Sequence, residues 1–69
     1  MRNYLKRLRE EKKLSQQGAA ELLGMTRQYY NLIENGERQK KMDIPLALKL
    51  AEIFDVSVEY ILEQEGKVS

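Results

Sequence analysis

An all-α domain of five short helices is predicted by three observations. Apolar residues recur at helical spacing, helix-capping residues stand at regular intervals, and no stretch alternates apolar and polar residues as a half-buried strand would. The 69 residues suffice for one domain, and 42% hydrophobic with 33% charged residues suits a folded helical chain rather than a disordered one. A core of this size supplies only roughly 3–5 kcal/mol unless something staples it. Cysteine and histidine both number 0. Disulfides, thiolate or imidazole metal sites and the usual general base are therefore excluded, and neither an enzyme nor a metal or other cofactor is expected. No apolar run approaches the roughly 18 residues of a membrane span. The basic amino end leads into no apolar signal region, so no membrane association and a cytoplasmic location are expected.

The first helix is expected over residues 2–13, an exposed amphipathic segment carrying Leu5 and Leu8 three apart among Lys and Arg. Ser15 caps a second helix over residues 16–23, which Gly24 ends. Thr26 caps a third over residues 27–34, ended by Asn35-Gly36. Residues 37–42 are polar and basic and read as a loop. Asp43 caps a fourth helix that tolerates Pro45 in its first turn and carries Ile44, Ala47, Leu50, Ala51 and Phe54 as its core stripe. Ser57 caps a fifth through Leu62, and a polar, frayed tail follows over residues 63–69. The domain is thus assigned to residues 1–62.

The segment between Gln16 and Gly36 is the informative one. Only Gly24, Met25 and Thr26 separate two short helices, which must cross steeply for both apolar stripes to reach one core. Ala20 is small where the partner helix approaches, and Gly24 can take the left-handed conformation that reverses the chain. Leu23, Met25, Tyr30 and Ile33 supply the shared apolar contact. Arg27, Gln28, Tyr29, Asn31 and Leu32 are left on the outer side or the leading end of the second helix.

These residues resemble a family. Leu14-Ser15-Gln16, Ala20, Leu23-Gly24-Met25-Thr26-Arg27-Gln28 and Ile33-Glu34-Asn35-Gly36 look like the helix-turn-helix of phage-repressor and Cro-like, or XRE-type, DNA-binding domains. Leu5 to Glu10 before it and Ala47 to Leu62 after it extend the likeness over roughly residues 4–62. The resemblance implies a compact five-helix, lambda-repressor-like fold with the third helix in the DNA major groove. It places Arg27, Gln28 and Leu32 facing bases. It gives Gln16 a phosphate contact and a brace on Gln28, and it has Arg9 pairing with Glu34 in a structural role beside Ala20 and Gly24. Three departures stand out: Gly18 lies inside the second helix, Tyr30 occupies an aliphatic core position where its hydroxyl needs a partner or must reach solvent, and Leu32 stands where polar readers are common.

The side chains suit that chemistry. Arginine can give two parallel hydrogen bonds to guanine, glutamine can pair with adenine, and leucine can meet a thymine methyl. Tyr29, Asn31, Arg38 and Lys40 are expected at phosphates, where basic groups attract without reading sequence. Charge is divided to match: residues 1–41 hold 10 Lys and Arg against 5 Asp and Glu, and residues 42–69 hold 2 against 6. Leu46, Ile53, Tyr60 and Leu62 are apolar residues left over from the core stripe, and they point to a two-fold homodimer. Such a dimer would set two recognition helices roughly 34 Å apart on a near-palindromic operator. The expected function is a sequence-specific DNA-binding transcriptional regulator of double-stranded DNA, a repressor acting by operator occupancy. The alternative is a helix-turn-helix antitoxin whose main partner is a toxin protein; an antirepressor is a further conceivable partner.

Overall fold

The computed structural model describes residues 1–68, within which five helices enclose one core measuring 26 × 23 × 20 Å overall. They are α1 (Asn3–Glu11), α2 (Gln16–Leu23), α3 (Arg27–Glu34), α4 (Ile44–Phe54) and α5 (Val58–Val68), and the described residues contain no strand. The core is drawn from every helix, with Leu5, Ala20, Tyr30, Ile33, Ala47, Leu50 and Ile61 all fully buried. Full burial of each large aliphatic side chain contributes about 1.5–3 kcal/mol.

The capping residues act as their chemistry dictates. Ser15 Oγ accepts from Gly18 N (3.0 Å), Thr26 Oγ1 from Tyr29 N (3.1 Å), Asp43 Oδ1 from Leu46 N (2.8 Å) and Ser57 Oγ from Tyr60 N (3.0 Å). Each satisfies one of the orphan donors at a helix start. Gly24 ends α2 at φ +71°, and Asp55 ends α4 in the same left-handed region at φ +56°.

Several features differ from the sequence-based expectation. The first helix is shorter, and it is not an exposed one, since Tyr4, Leu5 and Leu8 are all buried. Arg2 does not belong to its solvated basic face and is 1% exposed. In α4 the buried stripe is Leu46, Ala47, Leu50, Ala51 and Phe54, so Leu46 belongs to the core and not to a dimer surface. Ile44, expected inside, is 55% exposed. Ile44 and Leu46 lie about 200° apart around the helix, so burying one turns the other outward. Ile53 and Tyr60 are half-buried against the core, which leaves Leu62 as the one exposed member of the four residues expected at the interface. Finally, α5 does not fray after Leu62 but continues to Val68, whose side chain packs on the core. Glu65, within the segment expected to be a frayed tail, is drawn into an ion pair with Arg2.

Candidate nucleic-acid interface

The α2–α3 corner is built by three local devices. Gly24 supplies the left-handed residue, Met25 N donates to Ala20 O (3.0 Å), and the Thr26 cap starts α3 at once. Ala20 is fully buried, so α3 can approach α2 closely. The result is an α3 whose first turn stands clear of the body. Arg27, Gln28 and Tyr29 are exposed on it, and among the described residues their side chains take part in no hydrogen bond or ion pair. The free amides of a helix start add partial positive charge there. Tyr30, the next residue, turns fully inward.

α3 is locked from behind. Arg9 Nε donates to Glu34 Oε2 (2.9 Å) and Arg9 Nη2 to Glu34 Oε1 (3.3 Å), while Arg9 Nη1 donates to Leu14 O (2.9 Å). Glu34 Oε1 also accepts from Gln16 Nε2 (3.3 Å), and Gln16 Oε1 accepts from Asn31 Nδ2 (3.2 Å). Asn31 Oδ1 in turn accepts from Asn35 Nδ2 (3.1 Å). One chain of polar contacts therefore joins α1, α2 and α3. The brace from Gln16 reaches Asn31, not Gln28, because Gln28 lies on the exposed leading turn. Gln16 and Asn31 are half-buried and engaged with each other, which differs from two side chains held out toward phosphates.

Burial alone would raise the Glu34 carboxyl pKa. The hydrogen bonds from Arg9 and Gln16, with the adjacent Tyr30 hydroxyl dipole, outweigh it and hold Glu34 below the ordinary carboxylate range. Tyr30 Oη is buried and, among the described residues, forms no hydrogen bond of good geometry, so it neither reaches solvent nor is fully paired. Burial first, and then the Glu34 charge, push its ionisation well above the usual phenol value.

The loop after α3 carries the second set of expected contacts. Leu32, half-buried rather than exposed, gives its carbonyl to Glu37 N (2.9 Å) and Arg38 N (3.2 Å), so the chain turns tightly off the helix end. Arg38, Lys40 and Lys41 are exposed around Gln39, whose backbone is left-handed at φ +56°. Beyond a 3.4 Å contact from Arg38 Nη1 to Glu37 O, their side chains make no hydrogen bond or ion pair among the described residues. The cationic loop and the tip of α3 flank the two ends of one helix.

Local reading of the sequence misses Arg2, Tyr4 and Glu65. Arg2 Nε and Nη2 donate to the two Glu65 carboxylate oxygens (2.7 and 3.0 Å), and the Tyr4 hydroxyl donates to the same carboxylate. The partners are 63 and 61 residues apart, so neither spacing nor capping signals them.

Comparison with known proteins agrees with this geometry. The family described as helix-turn-helix matches residues 5–61. The chain is 41% identical over 62 residues to "Uncharacterized HTH-type transcriptional regulator YqaE" of Bacillus subtilis, covering 90% of this chain and 52% of that protein. It is 39% identical over 56 residues to "HTH-type transcriptional regulator PrpR" of Mycobacterium tuberculosis, covering 81% of this chain and 11% of that protein. The chain therefore spans about half the length of the first relative and about a tenth of the second. No solved structure gives a significant match.

Proposed function

The chain belongs to the helix-turn-helix family, and from that premise we propose that it is a sequence-specific DNA-binding transcriptional regulator acting in the cytoplasm as a repressor. The observation that carries this reading is the unengaged first turn of α3. Arg27 and Gln28 stand exposed on a helix whose other side is locked by Arg9, Glu34 and Gln16. A rigid helix with uncommitted arginine and glutamine at its tip suits direct reading of base edges in a major groove. Occupancy of an operator would exclude polymerase. Selection of bound duplexes from a random pool tests the proposal: one enriched motif is expected, and indifference to duplex DNA at low ionic strength would end it.

Arg38 and Lys40 would contact phosphates and Tyr29 the backbone beside the bases. Lys40→Ala should weaken binding to all sequences alike and reduce the slope of log affinity against log salt by about one unit. Titrations of selected and scrambled duplexes over a range of salt concentrations check this. A loss confined to the selected duplex would make Lys40 a base reader instead.

A two-fold homodimer remains part of the proposal, with its surface moved outward. Support comes from Leu48 and Leu62, which are 52% and 42% exposed on α4 and α5. A second copy would cover this apolar surface and space two α3 helices along a near-palindromic operator. Leu62→Glu is expected to leave helix content intact while lowering the sedimented mass and the affinity for a paired half-site. A wild-type chain that stays monomeric at high concentration, on DNA and off it, would remove the dimer.

A further inference from the structure

Arg2 uses every donor that its guanidinium possesses. Nε and Nη2 face the Glu65 carboxylate (2.7 and 3.0 Å), Nη1 donates to Ile33 O (2.6 Å) and Arg38 O (3.1 Å), and the second Nη2 hydrogen goes to Gln39 O. An arginine side chain has five N–H groups, and all five have partners here. Its backbone N–H is also spent, on Glu34 O (2.8 Å). The carbonyls involved are the last ones of α3 and two in the loop that follows it. They converge on one point, where they would repel each other without a cation among them.

The loop needs such a hold. Gln39 is a non-glycine residue in the left-handed region at φ +56°, a conformation disfavoured for its side chain. Arg2 grips the Gln39 carbonyl, and Gln39 Oε1 accepts from Asp43 N (3.1 Å) at the start of α4. The exposed Arg38 and Lys40 flank this pinned residue. Arg2 in turn is 1% exposed, and a cation so buried persists only with a well-placed counter-charge. Glu65 is that counter-charge, and the Tyr4 hydroxyl steadies it.

We propose that Glu65, near the carboxyl end of α5, is a positioning residue for DNA binding: through Arg2 it sets the backbone of residues 37–41 and so aims Arg38 and Lys40 at the phosphates. The proposal rests on the DNA-binding reading above. Glu65 touches no nucleic acid in it. The end of the last helix is thereby coupled to the loop beside the recognition helix, and whatever pulls that end away releases the loop.

The test uses the full chain carrying Glu65→Gln, which keeps shape and one acceptor but removes the charge, with Glu65→Asp as the conservative variant. Circular dichroism fixes a temperature at which all forms are folded. Hydrogen exchange of the amides of residues 37–42 should then quicken in Glu65→Gln while α2 and α3 stay protected. Affinity for the selected duplex should fall about tenfold with a salt slope smaller by about one unit. Glu65→Asp should recover part of both. In a Lys40→Ala, Arg38→Ala background the affinity effect of Glu65→Gln should vanish, because the groups it aims are gone; an undiminished effect would mean general destabilisation and overturn the proposal. Unchanged loop exchange, or a loosened loop with unchanged affinity and slope, would also overturn it while wild-type binding left the DNA reading standing. A wild-type chain that ignores duplexes would take down both, whatever the loop does.

Discussion

Arg9→Met is expected to remove most or all of the stability of the fold. The Glu34 side chain is 2% exposed, and the Arg9 side chain 11%. Replacing the arginine leaves a buried carboxylate without its counter-charge, with Gln16 as its remaining side-chain donor, a change that costs about 3–5 kcal/mol. A core of this size holds only roughly that much in total. Thermal melting followed by circular dichroism should show a midpoint at or below room temperature, and a wild-type midpoint would refute the assignment. A double variant, Arg9→Met with Glu34→Leu, should recover much of the loss, because exchanging both members of a buried pair for apolar groups is often neutral or better. It will not recover all of it, since Gln16 Nε2 and Leu14 O each lose a partner.

The same pair gives the protein an acid sensitivity of defined sign. A carboxylate whose folded pKa is depressed contributes stability that is fully present above its unfolded value and is lost as pH falls through the folded value. The ordinary value for Glu34 is 4.5, and the folded one lies lower. Its contribution should therefore be intact at neutral pH and decay below about pH 4.5. In Arg9→Met the sign reverses: burial then dominates, the carboxyl prefers to be protonated, and acidification should stabilise what remains folded. Thermal melts of both forms, started in the cold and run between neutral and acid pH, would show opposite trends.

Gln28→Ala is expected to have the largest effect on recognition. A glutamine donating and accepting at one adenine carries about 1–3 kcal/mol of discrimination, and its loss should relax preference at one base position. Gln28 is exposed, and its side chain has no protein partner among the described residues, so truncation should leave the melting midpoint almost unchanged. Binding to a selected duplex and to a scrambled one separates the possibilities. A selective loss supports direct reading, and an equal loss on both would mean that Gln28 only adds contact.

The legible part of this molecule is local. Ser15, Thr26, Asp43 and Ser57 each bond to an amide three residues onward, and the boundaries of α2 and α3 agree with the capping and glycine signals residue for residue. Within the corner, the inward turn of Tyr30 and the outward turn of Arg27 and Gln28 follow from helical spacing once the apolar side of α3 is known. The Arg9–Glu34 pair was implied by family resemblance; no spacing rule links positions on two different helices. The rest escaped for a physical reason. On α4, periodicity admits two stripes offset by part of a turn, one through Ile44 and one through Leu46, and only the direction from which α2 and α5 pack chooses between them.

Sequence alone thus determined both ends of α2 and α3, the capped starts of α4 and α5, the glycine corner between α2 and α3, and which side chains tip α3, because hydrogen bonds and torsions within a few residues settle those matters. Tertiary structure decided that Leu46 is core, that Gln16 braces Asn31, that α5 runs on to Val68, and that Arg2 and Glu65 meet across almost the whole chain. A buried charge is tolerated only where its counter-charge and acceptors converge, and that convergence is a property of packed helices, absent from any stretch of residues read in order.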